Sequence, residues 1–113
     1  MPVTIYHNPR CSKSRQTLAL IEEKGIKPII IEYLNNPPNQ STLKDIVTTL
    51  GVSPIHIARK KEAKEEGIDL ANLSDSEILK VMTETPRIIE RPIVVAGRKA
   101  VIGRPPENVL NIL

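Results

Sequence analysis

The reactive side chains of this chain are concentrated in one short stretch, HNPRCSKSR, at residues 7–15. It holds the single cysteine, Cys11, with His7 four residues before it and Arg15 four residues after it. Asn8-Pro9 breaks the apolar run that precedes it, and a helical pattern begins at Ser12. Cys11 therefore falls where a strand end meets a helix start. The first N–H groups of a helix lack internal partners, and together with the helix dipole they favour a thiolate over a thiol. Arg15 lies one helical turn on and shares a face with Cys11, Ser14 offers a hydroxyl, and His7 sits across the loop, placed to orient it. Most lone cysteines are small buried apolar residues. The basic surroundings of this one, with Arg10, Lys13 and Arg15 close by, point instead to a nucleophile.

Spacing excludes several other chemistries. A cysteine-dependent phosphate loop needs arginine six residues after the cysteine, where this chain has Thr17. A dithiol redox pair needs cysteine at the position of Ser14. The motif is Cys-x-x-Ser, which forms covalent adducts and mixed disulfides but does not resolve them internally, so an external thiol is required. Two histidines, His7 and His56, and one cysteine make no recognisable metal set, and no Gly-rich nucleotide loop is present. No role is assigned to His56.

The elements that must position this loop follow from periodicity and punctuation. Val3–Tyr6 reads as a strand, Ser12–Lys24 as a helix with Leu18 and Ile21 on one face and Gly25 as its stop, and Pro28–Leu34 as a strand. The three consecutive isoleucines at 29–31 predict a strand buried on both faces, as in a parallel sheet. Asn39 is placed to cap a helix carrying Leu43, Ile46, Val47 and Leu50, ended by Gly51. Short charged helical pieces follow from Pro54 to about Glu66. Ser74-Asp75-Ser76-Glu77 is a capping box that opens a helix with Ile78, Leu79 and Met82 inward, closed by Pro86. Pro92–Ala96 and Lys99–Ile102 form a hairpin about Gly97-Arg98. Pro105 and Pro106 suit the first turn of a last helix that turns Val109, Leu110 and Leu113 to the core. The order is β-α-β, a helical insertion, then β-β-α. That order predicts an α/β, thioredoxin-like (glutaredoxin-like) fold, with a mixed four-stranded sheet and the insertion between its βαβ and ββα halves.

Bulk composition sets the remaining bounds. The chain has 113 residues, which fits a single domain over 1–113. Aromatic residues are 2% of it, so the core is aliphatic. A net charge of +3 is dispersed rather than striped, which fits a small anionic substrate and argues against nucleic acid. No signal peptide and no apolar run of membrane-spanning length is recognisable, and one cysteine forms no internal disulfide, so a cytoplasmic protein is expected. A monomer is expected as well.

Beyond this, HNPRCSKSR resembles the active-site loop of the glutaredoxin-coupled arsenate reductases (ArsC-like proteins), whose pattern is His-x3-Cys-x3-Arg. The resemblance continues through YLNNPP (33–38), LGVSPIHIARKKE (50–62), ERPIVVAGRKAVIGRPPE (90–107) and NVLNIL (108–113), and so spans essentially the whole chain. It implies that Cys11 is the nucleophile and that His7, Ser14 and Arg15 support its thiolate. It further implies that Arg59, Arg91 and Arg104 hold the oxyanion and that Pro92 is a cis-proline beside the cysteine. The implied reaction is attack of Cys11 on arsenate or a similar oxyanion, with glutathione as co-substrate, glutaredoxin as partner and no bound cofactor. Two other roles are compatible with the same fold: a non-enzymatic regulatory protein, and a monothiol redox protein handling glutathione adducts or an iron–sulfur cluster.

Overall fold

The computed structural model describes residues 2–113. Two compact units emerge: residues 1–36 with 91–113, and residues 37–90. The first unit carries the whole sheet, built from β1 (Val3–His7), β2 (Ile29–Glu32), β3 (Ile93–Ala96) and β4 (Lys99–Ile102) in the order β2-β1-β3-β4. β2 runs parallel to β1, with His7 opposite Glu32. β3 runs antiparallel to β1, with Tyr6 opposite Ile93, and pairs in turn with β4, with Ile93 opposite Ile102. This mixed sheet, with the helix α1 (Ser12–Glu23) crossing from β1 to β2, is thioredoxin-like. The carboxyl end of β1 thus has the end of β2 on one flank and the start of β3 and end of β4 on the other.

Aliphatic side chains hold this unit together. Val3, Ile5, Ile21, Val94, Ala96, Val109 and Ile112 form one buried cluster, with Leu18, Val101 and Leu113 packed against it. Complete burial of each large aliphatic side chain is worth roughly 1.5–3 kcal/mol. The β3–β4 turn needs Gly97, whose φ of 61° lies in the left-handed region that other residues avoid.

Two expectations for this unit are corrected. β2 is not buried on both faces: Ile29 is 55% and Ile30 46% exposed. The reason is topological, since β2 is an outer strand of the sheet rather than a central one. The last helix is a 3-10 helix over Pro106–Asn111; it buries Val109 and Ile112 and leaves Leu110 40% exposed. Its tighter winding puts residues three apart on one face, so 109 and 112 point inward together and 110 does not. The Arg91–Pro92 and Arg104–Pro105 peptide bonds are both cis.

The second unit is helical. It comprises α2 (Gln40–Leu50), α3 (Lys60–Glu65) and α4 (Asp75–Glu84), with 3-10 turns at Pro54–Ile57, Leu70–Asn72 and Pro86–Ile88. The side chain of Asn39 accepts from the Thr42 N–H, and Ser74 and Glu77 form the reciprocal capping box. α2 packs on α4, with Leu43, Ile46, Val47, Ile78, Leu79 and Met82 all buried. Gly51 ends α2 with a φ of 72°. Arg59 N–H donates to Ile88 C=O, and Glu90 N–H to Ile57 C=O, so a short antiparallel bridge between Ala58 and Ile89 ties the unit's two sides.

Candidate active site

Cys11 is the N-cap residue of α1, with extended backbone (φ −93°, ψ 122°). The loop before it is held by its own hydrogen bonds. The Asn8 side chain accepts from Arg10 N–H at 3.0 Å, and Asn8 C=O accepts from Cys11 N–H at 3.0 Å. Arg15 N–H closes the first helical turn on Cys11 C=O at 3.0 Å. No acidic residue stands in that first turn to oppose a negative charge.

Two arginines from the other side of the sheet meet the sulfur. Arg104 Nη2 lies 3.4 Å from Cys11 Sγ, while its Nε donates to the Arg91 carbonyl at 2.7 Å. The guanidinium of Arg91 also hydrogen-bonds the sulfur. Burial pushes the Cys11 thiol pKa up. The Ser14 N–H, the Arg91 guanidinium, the Lys13 N–H and the charge of Arg104 together outweigh burial, and the pKa lies below the ordinary thiol value. Cys11 is partly exposed and so open to reagents.

The other loop residues brace this arrangement. His7 is buried, and its Nδ1 lies 2.6 Å from the Ser14 hydroxyl oxygen, which also accepts from the Asn8 N–H at 3.0 Å. The Ser14 side chain is thereby committed to the loop, and what it presents to the thiolate is its backbone N–H. His7 has a lowered pKa: burial lowers it most, the Glu32 carboxylate pulls it back up, and the Arg15 charge lowers it again. The Arg15 guanidinium donates to the Pro9 carbonyl at 3.0 Å, clamping the loop onto the first turn of α1.

Arg59 belongs to the second unit, at the N-terminus of α3. Its Nε pairs with Glu62, and its Nη1 with Glu90 at 2.7 Å. His56 is exposed.

Three contributors to the site escaped the sequence reading. Gly103 donates to the Pro92 carbonyl at 2.9 Å and sits so close to α1 that an added Cβ meets Thr17 Oγ1 at 2.5 Å and Pro92 Cγ at 2.8 Å. Thr17, absent from any motif, is buried and anchors its hydroxyl on the Lys13 carbonyl at 2.8 Å. Asn108 donates from its side chain to the carbonyls of Arg104 at 3.1 Å and Ile102 at 3.3 Å, fixing the segment from which Arg104 projects. A glycine directly before the Arg-Pro of GRPPE is the only trace of this in the sequence. Among the described residues, no group of three or more His, Cys, Asp or Glu side chains is arranged to hold a metal ion. No helix among them is long and apolar enough to cross a membrane.

Known proteins share this architecture over its full length. The model of the ArsC family matches residues 6–112. A protein of Haemophilus influenzae named arsenate reductase is 49% identical, covering 100% of both chains. An arsenate reductase of Neisseria meningitidis is 45% identical over 98% of this chain and 97% of its own. The solved structure of an arsenate reductase from Vibrio cholerae superposes with a TM-score of 0.94 at 47% identity, over 100% of this chain and 98% of that one. With these matches running from the strand before the cysteine to the last 3-10 helix, the chain belongs to the ArsC family.

Proposed function

We propose that this protein is an arsenate reductase that works through a single covalent thiolate and borrows its second thiol from glutathione. The observation that carries the reading is the pair of guanidinium groups, Arg91 and Arg104, gathered at the sulfur of a helix-capping cysteine. An anionic nucleophile repels an anionic substrate, and cations at the meeting point offset that repulsion. Arginine suits the task because its planar fork matches the oxygens of a tetrahedral oxyanion. The names of the relatives favour arsenate as that oxyanion.

The reaction then has two chemical steps on the protein. Cys11 thiolate attacks arsenic in the arsenate monoanion, one proton is taken up, water leaves, and a singly charged thiol–arsenate adduct forms. A glutathione thiol next attacks the Cys11 sulfur. The S–As bond breaks with its electron pair going to arsenic, so the arsenite monoanion departs and a Cys11–glutathione disulfide remains. Arsenic gains two electrons, the two sulfurs lose one each, and the thiol proton ends on the arsenite. With no second cysteine in the chain, glutaredoxin is the proposed partner that clears the mixed disulfide. Such chemistry belongs in a reducing compartment such as the cytoplasm.

The test is a coupled assay with arsenate, glutathione, glutaredoxin, glutathione reductase and NADPH. Arsenate-dependent NADPH oxidation is expected from the wild type and none from Cys11→Ser. A wild type whose thiol alkylates readily yet forms no arsenite overturns the assignment. Deglutathionylation of a model disulfide under the same conditions would then favour the monothiol role.

A further inference from the structure

Cys11 has a second flank, and it is not featureless. A cavity of about 330 Å3 opens between the loop at residues 7–10 and the segment at 32–35 that follows β2. That volume lies within the range of small-molecule sites, roughly 300–1,000 Å3. Its lining includes Arg10 and Glu32 together with Asn8 and Asn35, and so carries both signs of charge. The Arg10 and Glu32 side chains form no salt bridge with any described residue. Two opposite charges that line one cavity without pairing to each other match a ligand that carries both.

We propose that this cleft seats the thiol co-substrate, a zwitterionic peptide thiol of the glutathione type, with Arg10 receiving a carboxylate and Glu32 the ammonium group. The proposal rests on the arsenate-reductase reading and deepens it. Topology supports it independently of the pocket's contents. Substitution at sulfur is collinear, so the incoming thiol and the departing arsenic occupy opposite sides of the Cys11 Sγ. The arginines at the sulfur come from the β3–β4 flank, as Arg91 precedes β3 and Arg104 follows β4. The cleft lies on the β2 flank, where His7 and Glu32 are register partners. With β1 between β2 and β3, the two sites stand on opposite sides of the strand that leads into Cys11. Arg10 immediately precedes the nucleophile, so a peptide held by Arg10 is anchored one residue from Cys11.

The test uses S-methylglutathione, which binds but does not react, titrated into the 15N-labelled full-length protein. Shifts are expected at the amides of residues 7–10 and 32–35, and are expected to weaken at least tenfold in apparent affinity in Arg10→Ala and in Glu32→Gln. No shifts at any accessible concentration, or shifts confined to residues 91–105, overturn the proposal. Because no turnover is needed, this result is separable from failure of the arsenate reading. In the coupled assay the same two variants are expected to raise KM for glutathione at least tenfold, leaving KM for arsenate unchanged. An equal rise in both KM values overturns a dedicated thiol site.

Discussion

Gly103 makes no contact with any reacting atom, yet replacing it with alanine tests how the site is held. An alanine Cβ at this position falls 2.5 Å from Thr17 Oγ1 and 2.8 Å from Pro92 Cγ. Neither neighbour yields easily: Thr17 is buried and tied to the Lys13 carbonyl, and Pro92 is a ring. Overpacking of this kind costs roughly 1–3 kcal/mol. Against it stands the reduced entropy of the unfolded chain, which favours alanine over glycine by about 0.4–1 kcal/mol. The net destabilisation is therefore about 1–2 kcal/mol, a fall of about 1 M in the urea midpoint for a slope near 1.5 kcal/mol/M. Since Arg104 is the next residue, alkylation of Cys11 at neutral pH should slow as well. Thr17→Ala removes both the 2.5 Å contact and the 3.1 Å contact from Thr17 Cγ2, leaving only Pro92. In that background Gly103→Ala should cost about half as much. A double-mutant cycle with a coupling energy under about 0.3 kcal/mol would show that the close approach to α1 is not the cause and refute the reasoning.

Other perturbations read other parts of the structure. The rate of Cys11 alkylation by iodoacetamide should rise through an inflection below the ordinary thiol value of about 8.5, and Arg104→Ala should move that inflection upward; an unmoved inflection would mean that Arg104 does not support the thiolate. His7 has a depressed pKa in the folded state, so its contribution to stability is fully present above the unfolded value of about 6.5 and is lost as pH falls through the folded pKa. The urea midpoint of the wild type should accordingly drop more steeply between pH 6.5 and 5 than that of His7→Gln, and parallel curves would count against it. Arg59→Ala exposes the buried Glu62 to loss of its partner and should lower stability by about 2 kcal/mol, whereas Arg87→Ala, whose ion pairs with Glu65 and Glu66 are nearly half exposed, should leave the urea midpoint unchanged.

Local rules were readable where they act locally. The capping box at Ser74, the Asn39 cap, the Gly51 stop and the β3–β4 hairpin are decided by residues within a few positions of one another, and each stands where its pattern places it. The position of Cys11 at the start of α1 belongs to the same class. Three consecutive isoleucines, by contrast, report only that a segment is strand-forming and apolar. Whether another strand covers it is a property of the sheet order, and β2 lies at its edge. The roles of Gly103, Thr17 and Asn108 were invisible for a related reason. Each acts on a partner brought to it by folding, as when Gly103 meets Thr17 across 86 residues. Sequence places the Ser14 hydroxyl near the thiol, but the turn of the chain hands that hydroxyl to His7 and Asn8 instead.

The edge position of β2 has a further consequence for the protein as a material. Among the described residues no strand pairs with its outer edge, and the isoleucines at 29 and 30 on this strand are exposed. Such an edge templates the strand of another molecule unless something interrupts it. Here the interruption is supplied by the flanks: Lys27 and Pro28 at one end and Glu32 at the other. These act as gatekeepers, since a second strand in register must bring like charges together or meet a residue with no N–H to donate. The protection is strongest in the folded protein, where the strand is only four residues long. During refolding from denaturant the same isoleucines are unshielded, and recovery of native protein becomes a competition between closing onto β1 and pairing with a neighbour. That competition is concentration-dependent, so yield falls as refolding is carried out at higher protein concentration, and Ile30→Thr raises it without touching the chemistry at Cys11.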